Sequence, residues 1–270
     1  MGIFSSNLSF LRWILKIIVL KSKLMEVCTM TDEIRQFVQW VKDSNNIVFF
    51  GGAGVSTESG IPDFRSVDGL YHQEYDYPPE TILSHSFYMG NTAEFYRFYK
   101  NKMLYLDAKP NAAHKKLAEL EAAGKLKAVI TQNIDGLHQA AGSKKVLELH
   151  GSVHRNYCQK CGKFFDAKYI LNSKGTPKCD VCDGEIKPDV VLYEEGLDDE
   201  TMRQAIYYIS QADILIIGGT SLAVYPAAGL IDYYCGNKLV LINKSTTPLD
   251  RRADLKIEGN IGEIFSQIEL

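Results

Sequence analysis

The chain has 270 residues, 46% of them hydrophobic, with six cysteines and a formal net charge of −3. It is long enough to bury a sizeable core as one large domain, or one domain carrying an insertion. The mildly acidic balance offers no basic field for DNA or RNA, and six cysteines over this length do not make a secreted disulfide scaffold, so a reducing cytoplasm is the expected compartment.

Residues 1–30 read as an extension outside the fold. The run FLRWILKIIVL at 10–20 is apolar but broken by Arg12 and Lys16, and it is shorter than the ~20 apolar residues of a membrane span. No basic region precedes it and no small-residue cleavage site follows. Arg12, Lys16 and Lys23 share one side of a helix, which fits an interfacial segment, and Met1-Gly2 with Ser6 fits a loose myristoylation pattern. The reading preferred here is an upstream start codon, with Met25 or Met30 opening the working protein.

Residues 31–44 carry Ile34, Phe37, Val38 and Val41 at helical spacing behind a Thr31 or Asp32 cap. Ile47-Val48-Phe49-Phe50 then predicts a buried strand, followed by GGAGVSTESGIPDFR at 51–65. Glycines there let backbone N–H groups approach a phosphate, and the loop is expected to enter a helix whose N-terminus favours an anion. The ordinary dinucleotide fingerprint is G-x-G-x-x-G, but Thr57 stands in place of the third glycine. A rigid Pro62-Asp63-Phe64-Arg65 segment follows, which points to a nucleotide that is bound and also chemically attacked.

Residues 66–109 are rich in aromatics and lack strand alternation, so they read as a loop followed by a helical layer. Residues 111–123 predict a helix and 128–131 a strand that delivers Gln132, Asn133, Ile134 and Asp135. Amide and carboxylate groups there suit ribose hydroxyls and a carboxamide, although a plain Asn/Asp/Gly turn has the same composition. Val146-Leu147-Glu148-Leu149 predicts another strand, ending at His150. A histidine at that end of an open α/β sheet faces the ligand crevice, although a lone one is also a common structural residue.

Cys158-x-x-Cys161 and Cys179-x-x-Cys182 are separated by seventeen residues, the spacing of a tetrahedral Zn²⁺ site. Four thiolates would close the coordination shell, making the metal structural. A redox dithiol is the rival, and the presence of two knuckles favours zinc. Residues 213–217 and 239–242 are two further short strands, leading to Thr220-Ser221 and to Asn243, and 263–268 reads as a closing helix. The alternation argues for an α/β fold with a doubly wound parallel sheet.

The run at 51–65, TQNIDGLH at 131–138, His150-Gly151, the two cysteine pairs, Gly219-Thr220-Ser221-Leu222 and Asn243 occur in the order of a known signature. Together they resemble the sirtuins, the NAD-dependent protein deacylases, of bacterial type, over residues 31–270. The resemblance implies a Rossmann-type parallel sheet (31–65, 110–155 and 188–270), a cofactor loop and helical layer (66–109) and a smaller inserted zinc-binding module (156–187). It implies that His150 is the general base, that Gln132 meets the nicotinamide ribose, and that Asn133, Ile134 and Asp135 shape the nicotinamide pocket. Asp63 and the Ile61 backbone would hold the carboxamide, Phe64 would shield the reactive sugar carbon, and Arg65 would orient the cofactor. Ala53 and Thr57 belong to the pyrophosphate loop, Thr220 and Ser221 to the diphosphate and ribose contacts, Asn243 to the adenosine ribose and Ile261 to the surroundings of adenine.

The implied reaction consumes NAD as co-substrate. The acyl-lysine oxygen displaces nicotinamide from the ribose, and the acyl group ends on ADP-ribose. Acetylated proteins or peptides are the implied partners, with no nucleic acid and no membrane beyond the N-terminal segment. The segment 187–195 would pair with substrate peptide as an added strand, with Val190 and Val191 beside the acyl-lysine tunnel, but it ends Tyr193-Glu194-Glu195 where Phe-Gly-Glu is common in the family. Relatives that remove acidic acyl groups carry a Tyr-x-x-Arg pair; here Tyr96 is followed by Tyr99, so neutral groups, acetyl first, are expected. The rival enzyme readings are a protein mono-ADP-ribosyltransferase and a deacylase of other neutral acyl groups. A dehydrogenase is disfavoured by the missing third glycine, and a silent NAD-sensing or zinc-ribbon module by His150, Asn133 and Asp135 together.

Overall fold

The computed structural model describes residues 30–63 and 76–269. The predicted N-terminal extension up to residue 29, Phe64, Arg65, Tyr71 and Tyr75 therefore lie outside the described residues. In chain order the strands are β1 (Ile47–Gly51), β2 (Leu126–Thr131), β3 (Val146–Glu148), β4 (Gly151–Cys158), β5 (Phe164–Phe165), β6 (Ile186–Val190), β7 (Ile214–Gly218), β8 (Leu239–Asn243) and β9 (Leu255–Glu258). The helices are α1 (Asp32–Asp43), α2 (Pro79–Ile82), α3 (His85–Gly90), α4 (Thr92–Lys102), α5 (Ala112–Ala122), α6 (Leu137–Ala141), α7 (Ala167–Asn172), α8 (Asp199–Gln211) and α9 (Ile261–Ser266).

Six strands form an all-parallel sheet in the order β3-β2-β1-β7-β8-β9. β1, β7 and β8 are buried along their whole length, as expected of apolar strands covered on both faces. The two-residue pleat sends Ile47 and Phe49 to one side, against Phe37, Val41, Leu117 and Phe265 of α1, α5 and α9. Val48 and Phe50 go to the other side, against Ala205 and Ile209 of α8 and Leu230 and Ile231 of a 3₁₀ segment. Each such apolar side chain removed from water contributes ~1.5–3 kcal/mol.

Helix boundaries follow local chemistry. The Thr31 hydroxyl accepts from the Ile34 N–H and starts α1. Asn111 caps α5 in a reciprocal box with His114. β1, β2 and β8 extend a residue or two beyond the predicted ranges, β3 stops a residue short at Glu148, β7 is shifted one residue along to Ile214–Gly218, and the closing helix begins at Ile261 rather than 263. α8 has no counterpart in the sequence reading, although Asp198 caps the Thr201 N–H and Met202, Ala205, Ile206 and Ile209 supply a helical stripe.

Among the described residues the helix expected after the glycine loop does not form. Two single 3₁₀ turns, Ala53–Val55 and Thr57–Ser59, take its place. Gly60 adopts a left-handed φ of 83° and ends the second turn, and Pro62 bars helical continuation.

A second, antiparallel sheet has the order β5-β4-β6. The aromatic segment before α5 packs directly on it: Phe87, Tyr96 and Phe98 share one buried cluster with Val153, Ile170 and Ile186. The Tyr96 hydroxyl donates to the Ile186 carbonyl, and Lys100 Nζ donates to Ser173 O at 2.8 Å and Gly175 O at 2.7 Å. Two stretches far apart in sequence thus form one smaller body beside the large sheet. Among the described residues no helix is long and apolar enough to cross a membrane.

Candidate active site and zinc centre

β1 runs on to β2 on one side of the sheet, while its other neighbour, β7, runs on to β8, so the strand order reverses between them. The crevice beyond the C-terminal ends of strands at such a switch point is where ligands bind in open α/β sheets. The loops leaving β1 and β7 touch there. Gly54 N–H donates to Gly219 O at 2.8 Å, and Gly52 N–H to Gly218 O at 3.3 Å. A Cβ on Gly54 would lie 2.8 Å from Gly219 Cα, and one on Gly52 would lie 2.8 Å from Thr220 Cβ. Gly54 is thus demanded by the facing Gly219 backbone and Gly52 by Thr220 and Gly219, a reason beyond the phosphate approach read from the sequence.

Ser56 is the centre of the site's polar network. Its hydroxyl donates to Asp135 Oδ2 at 2.6 Å and accepts from Asn133 Nδ2 at 3.0 Å, with the residue only 1% exposed. The other Asp135 oxygen accepts from the Leu137 N–H at 2.9 Å. Gln132 Nε2 reaches across to Thr220 Oγ1 at 3.0 Å, which ties the loop after β2 to the loop after β7. Asn243 grips Thr220 at both ends, accepting from its N–H at 3.1 Å and donating to its carbonyl at 3.0 Å.

The remaining predicted residues divide by position. Thr57 bonds Gly54 O at 3.0 Å, and Ile61 N–H bonds Ser56 O at 3.2 Å, so both belong to the loop beside Ala53. Asp63 is partly buried at the end of the described stretch, and Ser221 is exposed next to Thr220. Ile134 packs against the smaller body, and Ile261 is 4% exposed in the main core, with its Cδ1 close over Gly218.

His150 occupies the single position between Leu149, whose N–H still bonds Thr131 O on the large sheet, and Gly151, which opens β4. Its Nδ1 lies 3.0 Å from Gln132 O. A carbonyl can only accept, so Nδ1 carries the proton and Nε2 is left as the basic nitrogen. Burial pushes the His150 pKa below its ordinary value, opposed by that hydrogen bond. The imidazole therefore stays neutral and able to take a proton across the neutral pH range.

The segment 150–154 also stitches down the loop after β2. Besides His150 on Gln132 O, Val153 N–H donates to Ile134 O at 3.0 Å, and His154 Nε2 lies 2.9 Å from Asp135 O. Arg155 braces the same junction, bonding Glu148 of β3 at 2.7 Å and Asp189 of β6 at 2.6 Å. Sequence reasoning passed over Ser56, Asn111 and His154. Asn111 Nδ2 holds Val55 O at 2.7 Å and Ser59 Oγ at 3.1 Å, and its Asn-Ala-Ala-His capping pattern was a usable signal. No local signal marks Ser56 or His154, because their partners lie 79 and 19 residues away.

Behind Asp135, His114 and His138 are buried with ring centroids 4.6 Å apart. Burial holds His114 down at about 4 against the pull of Asp135, and burial together with His114 holds His138 down at about 3.

In the smaller body the four sulfurs of Cys158, Cys161, Cys179 and Cys182 lie within 4.8 Å of one another. The Cys158–Cys182 and Cys161–Cys179 separations are 3.5 and 3.6 Å. Tetrahedral Zn²⁺ with Zn–S of about 2.3 Å requires sulfurs about 3.8 Å apart, so the set fits the ion. The N–H groups of Lys160 and Val181 point at Cys158 and Cys179 Sγ at 3.4 Å, which favours thiolates. Gly184 leaves the space that the Cys158 sulfur needs, since a Cβ there would lie 2.8 Å from it.

Comparison with known proteins places this geometry. The Sir2 family model matches residues 52–226. An NAD-dependent protein deacetylase of Clostridium acetobutylicum is 60% identical over 240 residues, spanning 88% of this chain and 98% of that protein. One from Clostridium perfringens is 61% identical over 242 residues, spanning 88% and 99%. Among solved structures, a Sir2 enzyme with a deacetylated peptide and 3′-O-acetyl ADP-ribose superposes with a TM-score of 0.80 at 41% identity, over 87% of this chain and 96% of that one. A Sir2 bound to acetylated peptide gives 0.78 at 41% identity, over 88% and 97%.

Proposed function

The chain belongs to the Sir2 family, and we propose that it is an NAD-dependent protein lysine deacetylase working in the cytoplasm. The observation that carries the reading is the 3.0 Å contact of His150 Nδ1 with Gln132 O, which assigns the proton to Nδ1 and leaves Nε2 as the base. NAD, when bound, supplies an electrophilic ribose carbon and a leaving nicotinamide. The chain's residues hold and protect that chemistry. We assign Ala53, Thr57, Thr220 and Ser221 to the diphosphate side, with Asn243 and Ile261 supporting the adenosine end. Ile61, Asp63, Asn133, Ile134 and Asp135 surround nicotinamide, and Gln132 meets its ribose; Phe64 and Arg65 complete the loop. His150 Nε2 accepts the ribose hydroxyl proton as the acyl group transfers.

The predicted division also stands as a proposal: a nucleotide-binding body at 31–65, 110–155 and 188–270, with 66–109 and 156–187 as the layer and zinc module. Zn²⁺ held by the four cysteines would fix the smaller body and take no part in the reaction.

Acetyl is the preferred acyl group. Tyr99 is fully buried among Phe95 and Tyr96, while Arg97 turns outward to pair with Glu94 at 2.7 Å, so neither presents a cation to an acidic acyl group. The test is incubation with NAD and an acetyl-lysine peptide, with products followed by mass spectrometry. Nicotinamide and O-acetyl-ADP-ribose from the wild type, lost in His150→Ala, are expected. ADP-ribose attached to protein with the acetyl group intact would replace this reading by a mono-ADP-ribosyltransferase.

A further inference from the structure

Three described residues other than glycine have positive φ: Asp183, Glu194 and Leu222. Glu194, at φ 76°, lies in the segment that runs from His150 to the helical layer. A left-handed backbone is unfavourable for any residue with a Cβ, so something must hold it there. Both carboxylate oxygens of Glu194 are engaged at the start of α3, one by the Ser86 N–H and the other by the Ser86 hydroxyl, each at 2.9 Å.

The flanking contacts make this a latch on a whole segment. Val191 N–H donates to His150 O at 3.0 Å, and Tyr193 N–H to Leu83 O at 3.0 Å. His85 N–H returns to Tyr193 O at 2.9 Å. Glu195 accepts from the Leu192 N–H at 2.9 Å and from Lys187 at 3.1 Å. The segment borders a shallow cleft of about 200 Å³ to which Val190, Val191 and Glu195 contribute. A glycine at 194 would reach the left-handed state unaided, whereas glutamate reaches it at a cost that its two bonds to Ser86 offset.

We propose that Glu194 is a positioning residue for acyl-peptide binding: its capping of α3 sets the course of residues 190–193 beside His150. The proposal rests on the deacetylase reading for its ligand. The test compares Glu194→Ala, Glu194→Gly and Glu194→Gln in the full chain. Binding of a fluorescein-labelled acetyl-lysine peptide is measured by anisotropy, NAD affinity by calorimetry, and amide exchange over 191–195 by mass spectrometry. Glu194→Ala keeps the strain and loses the anchor, so its peptide Kd rises about fivefold, with faster exchange at Leu192 and Tyr193 and unchanged NAD affinity. Glu194→Gly loses the anchor without the strain and falls between. Glu194→Gln keeps an acceptor for the Ser86 N–H and stays within about twofold of wild type. Unchanged peptide affinity in Glu194→Ala, or a fall in melting temperature alone, would overturn the proposal. If the wild type binds no acetylated peptide, the deacetylase reading fails instead, and exchange in Glu194→Ala still decides whether the carboxylate holds the segment.

Discussion

Gly54→Ala tests whether the glycine-rich loop is shaped by the loop opposite. The added methyl would lie 2.8 Å from Gly219 Cα, 2.9 Å from Gly219 O and 3.0 Å from Gly219 C, where ordinary contact begins at 3.4 Å. All three atoms are backbone, so no side-chain rotation relieves the overlap and the loops must part by roughly half an ångström. Overpacking of this kind costs about 1–3 kcal/mol, and stretching the Gly54–Gly219 hydrogen bond adds about 1 kcal/mol. The sum, about 2–4 kcal/mol, can be taken from stability or from the site. The loop lies at the rim, with Ala53 and Gly54 partly exposed, whereas β1 below it is fully buried, so the rim yields first. NAD affinity should therefore fall by at least about tenfold, at 1.4 kcal/mol per decade, with little change in melting temperature. Calorimetric titration with NAD, circular dichroism and zinc content would be measured together. Gly90→Ala is the control, since Gly90 has open space around it and an ordinary φ. NAD binding by Gly54→Ala within about twofold of wild type, at unchanged melting temperature, would refute the reasoning.

His114 and His138 make stability depend on pH. Their folded pKa values, about 4 and about 3, lie below the ordinary 6.5, so the unfolded chain binds more protons as acid is added. Their penalty is absent above about pH 6.5 and grows below it, reaching roughly 2–3 kcal/mol each by pH 4.5. Urea unfolding at pH 7 and 4.5 should show this drop, and His138→Leu should remove about half of it; an unchanged drop in that variant would rule out the assignment. For His150, the lowered pKa places the acid limb of kcat/KM below pH 6.5, and a midpoint above that value would contradict the burial argument. Stripping the metal, or Cys182→Ser, should loosen the cluster that contains Cys158, Cys179, Ile186 and Phe165. Near-ultraviolet dichroism and activity are then lost, while the six-stranded sheet keeps its far-ultraviolet signal. Asn111→Ala should destabilise the chain by about 1–2 kcal/mol through the lost cap and weaken NAD binding by releasing Val55 and Ser59, as denaturation and titration would report.

The parts of the fold legible in the sequence are those set by local pattern. β1, β7 and β8 are uninterrupted apolar runs, and each hands over to its site residues where the run stops, so the glycine loop, Thr220 and Asn243 could be placed at strand ends from the sequence alone. The cysteine knuckles were equally plain, because metal spacing is a local code. The parts that were hidden depend on partners far along the chain. Whether the residues after Gly54 form a helix is decided by Gly60, Pro62 and the bond from Ser56 to Asp135, and only the first two are near in sequence. The union of the 79–102 helices with the second sheet is likewise written in tertiary packing, since aromatic residues such as Phe95 and Tyr99 fit any apolar neighbour.

The position of His150 has a mechanical consequence. Joints between two rigid bodies are ordinarily loops that absorb rotation over several residues, leaving reactive groups on firm ground to either side. Here Leu149 is still bonded to the large sheet and Gly151 already belongs to the small one, where a Cβ would strike Asp189 O at 2.0 Å. His150 is the one residue between the two sheets. With a single residue between the two sheets, any change in the angle between them would be felt directly at the imidazole, with no intervening loop to absorb it.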